Sequence, residues 1–173
     1  MVEYNDPRRQ LQGQRSRAMG KIFEDRLDQS FAYYRAKGFA LVEKTPEPIK
    51  ILGKPDKNQR FLACFAKAAQ PDYKGTVKGG RTVVFEAKFT WGADQRIQQS
   101  AVKEGQAEYL DMYESLDARC YILAGFISGN VYRIPWDVWK NMKAYFGRKY
   151  VSEESLQKYQ VKTSWNNILL LLG

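Results

Sequence analysis

Between Pro71 and Lys88 the chain reads PDYKGTVKGGRTVVFEAK, and no other stretch constrains the fold as much. Val-Val-Phe-Glu-Ala-Lys is a β-rich run broken by a charged pair, and Gly79–Gly80 is a turn signal. Alternate side chains of a strand share a face, so Glu86 and Lys88 point one way while Phe85 and Ala87 point the other. A hairpin brings Asp72 back beside them, and register decides whether it joins their face. A two-residue turn at Gly79–Gly80 pairs Lys78 with Arg81 and sets Asp72 opposite Ala87, on the wrong side. A three-residue loop, Lys78-Gly79-Gly80, pairs Val77 with Arg81 and sets Asp72 opposite Glu86, with a left-handed glycine as a bulge. Two carboxylates and an ammonium gathered in this way make a hard-oxygen metal site with a cation beside it, equipment suited to phosphodiester hydrolysis. The same residues also read as a common turn followed by a solvated strand face. The rest of the chain has to decide.

The absence of histidine from all 173 residues removes imidazole acid–base chemistry, His-ligated zinc and Ser-His or Cys-His nucleophiles. The net charge of +9 makes a polyanion the first expected partner. A hydrophobic fraction of 44% with 14% aromatics is that of a globular chain, sized for one domain. Cys64 and Cys120 sit in apolar runs without a partner motif and read as buried free thiols of a reducing compartment. The longest aliphatic run, residues 168–172, is too short for a bilayer, so no membrane association and a cytoplasmic location are expected.

Residues 1–16 carry Arg8, Arg9 and Arg15 without apolar periodicity, which predicts a disordered basic arm. Residues 17–173 then form a single domain. Met19, Phe23, Leu27, Phe31 and Tyr34 predict a helix over 17–37, and Glu24 lies about 80° from the centre of that stripe. A strand over 39–42, covered on both faces, comes next. Residues 44–67 hold three prolines and six Lys/Arg against two acids. Prolines exclude a central strand or helix interior there, so this is an extended excursion, two-stranded and projecting, over about 45–65. After the hairpin, residues 89–102 are polar. A helix over about 103–116 places Gln106 on its inner face with Leu110, Tyr113 and Leu116, which requires a buried partner for the amide. Strands at 119–127 and 131–134 form a hairpin, and a helix over 135–147 carries Trp136, Trp139, Met142 and Phe146 inward. Ser152 caps a short helix, and the apolar tail at 165–172 docks on this domain or on a second copy. The order describes an α/β sandwich with a central mixed sheet flanked by helices.

These residues resemble a known family. A helix with an inward Glu, then Asp, then Glu-x-Lys, then a helix bearing Gln looks like the PD-(D/E)xK, restriction-endonuclease-like fold. Within it the likeness is to the RecU-type Holliday junction resolvases. It rests on Arg17-x-x-Gly20 before Phe23-Glu24, Pro46-x-Pro48, Asp72-Tyr73-x-Gly75, Phe85-Glu86-Ala87-Lys88-x-Thr90 and Gln106, over residues 17–135. Two departures stand out: Gly105 replaces the histidine usual before the helix glutamine, and the excursion is slightly short. They leave junction selectivity less supported than nuclease chemistry and suggest a divergent member, phage-encoded ones included.

The resemblance implies a homodimer acting on four-way DNA junctions, a stalk entering the junction centre, and Mg²⁺ as cofactor with Mn²⁺ able to substitute. Asp72, Glu86 and the Ala87 carbonyl would hold the ion. Lys88 would stabilise the attacking water and the phosphate charge, Gln106 would orient the water or hold Lys88, and Glu24 would complete the metal site directly or through water. Arg15, Arg17, Lys21, Lys50, Lys54, Lys57, Arg60 and Lys74 are the cations expected to meet DNA. Two alternatives stay open: a nuclease of this fold acting on other DNA, and a non-catalytic DNA-binding or strand-annealing module.

Overall fold

The computed structural model describes residues 7–46, 48–65, 70–91 and 94–172. Helix α1 (Pro7–Ala36) leads into β1 (Ala40–Lys44), the ribbon strands β2 (Ile49–Leu52) and β3 (Leu62–Phe65), and the hairpin β4 (Tyr73–Val77) and β5 (Thr82–Thr90). Then come β6 (Arg96–Gln98), α2 (Glu104–Ser115), β7 (Arg119–Phe126) and β8 (Val131–Pro135). Helices α3 (Trp136–Lys140) and α4 (Met142–Phe146), strand β9 (Tyr150–Ser152) and a 3₁₀ segment at Glu153–Tyr159 complete the order.

Five strands form the central sheet in the order β1-β4-β5-β7-β8. Its β5–β7 pair is parallel and the others are antiparallel, so the sheet is mixed as expected. A parallel pair needs a crossover, and the segment carrying α2 supplies it. Alternation along β5 assigns the two faces. Val83 and Phe85 pack with Phe23, Leu27, Phe31 and Tyr34 of α1, while Val84 packs with Leu110 of α2, Trp139 and Met142. Burying each such side chain contributes about 1.5–3 kcal/mol, so the stripe at 23, 27, 31 and 34 is what fixes α1 to the sheet. The tail closes the same face: Leu169 and Leu171 are fully buried, and the Leu169 N–H donates to the Ser30 hydroxyl at 3.0 Å.

Several expectations are corrected. Helix α1 begins at Pro7, so residues 7–16 extend it instead of forming a disordered arm; residues 1–6 lie outside the described residues. Proline at the first helical position costs no hydrogen bond, and a helix that leaves the core needs no apolar periodicity. β1 is an edge strand covered on one face only, with Phe39 and Leu41 half exposed. The 135–147 helix is interrupted at Asn141, whose N–H donates to the Asp137 carbonyl. Strands β6 and β9, which pair with each other, were not expected at all. The excursion forms an antiparallel ribbon, Ile49↔Phe65 to Leu52↔Leu62, separate from the main sheet. Cys64 on β3 is exposed instead of buried, and the last residues of the excursion, 66–67, lie outside the described residues.

Candidate active site

The hairpin register decides which carboxylates meet. Tyr73 pairs with Phe85 and Thr76 with Thr82, and the Val77 N–H donates to the Arg81 carbonyl at 3.0 Å. The turn is therefore the three-residue loop 78–80, and the same register sets Asp72 opposite Glu86. Gly79 and Gly80 both take positive φ, +95° and +86°, which a β-carbon would oppose. At Gly75 the constraint is space instead. A β-carbon there would stand 1.9 Å from the Leu41 carbonyl oxygen, so glycine alone lets β1 close on β4.

Asp72 and Glu86 are tied to each other through the backbone. The Asp72 N–H donates to Glu86 Oε2 at 3.2 Å, and the Ala87 N–H donates to Asp72 Oδ2 at 2.8 Å. The Thr45 N–H, at the end of β1, donates to the Asp72 carbonyl at 2.7 Å. Lys88 Nζ donates to Glu86 Oε1, and Gln106 Nε2 donates to the same oxygen at 2.6 Å. The odd inward glutamine thus has its buried partner. Its own Oε1 accepts from the Lys103 N–H at 3.1 Å and closes the start of α2.

Burial is the main force on this cluster. Glu86 is fully buried, and desolvation, aided by the Asp72 charge, pushes its carboxyl up to about 7, with Lys88 partly opposing. A buried carboxylate with a second beside it favours whatever brings positive charge. The donor set of two carboxylates and a neighbouring carbonyl is what a hard divalent cation takes. Asp72, Glu86 and Ala87 therefore fit such an ion. A cavity of about 500 Å³ lined by Gln99, Asp111, Trp136 and Trp139 lies apart from these carboxylates. A polymer substrate needs an open face more than a closed pocket.

Glu24 stands on α1 at the edge of the buried stripe, and its Oε2 accepts from Lys44 Nζ at 2.5 Å. Among the described residues, no group of three or more His, Cys, Asp or Glu side chains is gathered as an ion site. Lys44 was missed by sequence reasoning. Its ammonium is held above its usual range by the Glu24 hydrogen bond, with Asp28 and Asp72 adding to the pull. Only the alternation of Ala40, Val42 and Lys44 along β1 signalled that it faces α1. Tyr73, nearly fully buried, donates to Asp28 at 2.8 Å and fixes the start of β4 to α1.

The cations expected to meet DNA fall into three places. Arg15 and Arg17 are exposed on α1, and Lys21 pairs with Asp25 at 2.5 Å. Lys50, Lys54, Lys57 and Arg60 are exposed along the β2–β3 ribbon and its tip. Lys74 is half buried and donates to Gln70 Oε1 at 3.0 Å, beside Asp72. Among the described residues, no helix is long and apolar enough to cross a membrane.

Known proteins share this sequence pattern. A Holliday junction resolvase RecU of Pediococcus pentosaceus is 31% identical over 116 residues, 64% of this chain and 56% of that protein. The Bacillus pumilus protein of the same name is 27% identical over 147 residues, 80% of this chain and 70% of that one. The chain thus spans little more than half of the first relative's length. Among solved structures, Archaeoglobus fulgidus Hjc, a Holliday junction resolvase, aligns with a TM-score of 0.48 and 13% identity, over 83% of this chain and 91% of that one. The family model described as RecU, Recombination protein U, matches residues 18–171, well beyond the 17–135 span of the motifs, and the chain belongs to that family.

Proposed function

We propose that this chain is a Mg²⁺-dependent endodeoxyribonuclease that resolves four-way DNA junctions as a homodimer, hydrolysing phosphodiesters on opposed strands. One observation carries the chemistry: Asp72 and Glu86 are cross-strand neighbours on the face that also presents Lys88 and Gln106. The choice of a four-way junction rests on membership of the RecU family and on the names of its relatives.

Asp72 and Glu86, with the Ala87 carbonyl, would hold Mg²⁺, and Mn²⁺ would substitute. An ion held there would supply Lewis acidity and lower the pKa of a bound water toward neutrality, chemistry for which this chain has no imidazole. Lys88 keeps one ammonium at the carboxylate pair, where it offsets charge developing on a phosphate. Gln106 fixes the Glu86 rotamer through Oε1 and leaves Oε2 toward Asp72. Glu24 acts at one remove, by holding Lys44 beside the site.

The deciding experiment offers a synthetic four-way junction, a linear duplex and a flap to the purified protein in Mg²⁺. Symmetric nicks confined to the junction are expected. Equal cleavage of duplex or flap would move the reading to a nuclease of other DNA. Binding without metal-dependent cleavage would remove the catalytic reading altogether.

A further inference from the structure

The small β6–β9 sheet has no part in the chemistry, yet its two faces differ sharply. Ile97 and Val151 point inward and are nearly or wholly buried. The register Arg96↔Ser152 and Gln98↔Tyr150 puts those four side chains on the outer face. There the Tyr150 ring lies between two guanidiniums, Arg96 at 4.6 Å and Arg148 at 4.7 Å from its centroid. Among the described residues, neither arginine makes an ion pair with a carboxylate, and Lys149 beside them is exposed. Arg148 donates a long 3.4 Å hydrogen bond to Ser152 Oγ, and among the described residues its buried Nε has no hydrogen-bond partner. Two like charges held on one ring repel each other unless an anion completes the group. Cation–π contact orients the forks but does not neutralise them.

Position gives the platform its meaning. Arg96 lies eight positions beyond Lys88, so the two lie within about 29 Å even if the chain between were fully extended. One turn of duplex spans about 34 Å. The chain then runs from β6 to Gln106, which touches Glu86, so the platform is tied to the site from both directions. We infer that the outer face of β6–β9, with Arg96 and Arg148 oriented by Tyr150, binds the phosphate backbone of a duplex arm leaving the catalytic face. This rests on the nuclease reading, and it names a surface for the arm distinct from both the carboxylates and the ribbon. A regular duplex suits the pair, because guanidinium forks bind phosphate oxygens bidentately and need no particular base.

The test compares wild type with the Arg96→Ala/Arg148→Ala double variant by fluorescence anisotropy. The DNAs are four-way junctions with arms of about 8 or about 20 base pairs, titrated from 0.05 to 0.2 M salt. Two lost phosphate contacts should lower the slope of log affinity against log salt by about 1.8 on the long-armed DNA. That fourfold salt increase should then cost the variant about twelvefold less affinity than it costs wild type. The short-armed junction should show little change, and its rate of cleavage in Mg²⁺ should equal that of wild type. Arg96→Lys/Arg148→Lys should restore most of the slope, which separates charge from folding. An unchanged slope on long arms, or an equal loss on both lengths, overturns the assignment. Equal competition by polyglutamate and duplex for the wild-type platform would point to an acidic protein partner instead and also overturn it. If wild type cleaves nothing, the nuclease reading fails while the slope difference still stands or falls on its own.

Discussion

Two antiparallel strand pairs, adjacent in sequence, sit in opposite physical environments. The β4–β5 hairpin lies between β1 and β7, and Tyr73, Val83, Val84, Phe85 and Glu86 are all buried. The β2–β3 ribbon is a sheet of its own, and even Ile49, Ile51 and Leu62 are more than half exposed. The first pair is held by neighbours on every side, so the carboxylates it carries cannot drift. An isolated two-stranded ribbon is marginal in water, and exposed apolar side chains beside Lys50, Lys54, Lys57 and Arg60 suit contact with a partner. On the proposed function, the chemistry belongs to the immobilised pair and access to the substrate to the other. Breaking each pair should therefore damage different things.

The largest effect is expected at the hairpin. Asp72→Asn or Glu86→Gln should lower the cleavage rate by about a thousandfold or more. Junction affinity without metal should hold or rise, because each substitution also removes a charge that repels phosphate. Cleavage of a labelled junction beside an anisotropy titration checks both halves. A variant that cuts at the wild-type rate would show that these carboxylates do not hold the ion.

Next in size is a packing contrast between two glycines. Gly75→Ala should destabilise the fold by about 3–4 kcal/mol, since its β-carbon meets the backbone of β1 and no flexible atom can yield. Gly53→Ala, at the end of β2, meets open space and only the cost of φ +87°, about 1 kcal/mol. Urea melts of both variants measure the difference. Equal destabilisation would mean that the ribbon is as tightly built as the hairpin.

A third effect follows from the buried carboxylate. In the metal-free protein the Glu86 carboxyl is raised to about 7, chiefly by burial. The folded state therefore holds this proton more tightly than the unfolded chain does. That contribution is complete below about pH 4.5 and is lost as pH rises through about 7, a change of up to about 3 kcal/mol. Wild type should lose stability relative to Glu86→Gln over this range, and Mg²⁺ should return much of it at pH 7 and above. Melts of both proteins across pH, with and without Mg²⁺, test the sign. A pH-independent difference between them would mean that Glu86 carries no such strain.

How much of this was legible depends on whether the pattern is local. Counting residues through the glycine turn narrowed Asp72 to two registers, of which the folded hairpin takes the one opposite Glu86, and the inward face of Gln106 followed from helical spacing. Both use short-range periodicity and a single turn. Residues 11–16 of α1 are almost wholly exposed, so no apolar rhythm marked this start of the helix. Strands β6 and β9 are three residues long, shorter than the window in which alternation can be recognised. The Glu24–Lys44 pair joins side chains 20 residues apart on separate elements, and only the assembled sheet brings them together. The sequence had placed Glu24 at the stripe's edge correctly. What it lacked was the partner, Lys44, that the assembled sheet brings to it.

The smallest expected effect, and the sharpest use of the comparison, concerns the ribbon tip. Asp56 organises it, accepting from the Asn58 and Arg60 N–H groups at 2.8 and 2.9 Å, while no described side chain of β2 or β3 is buried. Such a tip can be replaced without touching the core. Exchanging residues 54–59 for a short Gly-Ser linker should leave the melting curve, the Mg²⁺ response and linear-duplex affinity nearly unchanged, the last because its phosphate contacts are spread over the whole basic surface. A four-way junction differs from duplex mainly in its open centre, which a proline-bearing basic ribbon can enter and a flexible linker cannot. The junction-to-duplex preference should therefore fall about tenfold, or about 1.4 kcal/mol, in competition at fixed salt. If the tip is only a basic loop, both affinities drop together and the ratio stays put. That result would remove junction recognition from the ribbon while leaving the chemistry of the buried hairpin intact.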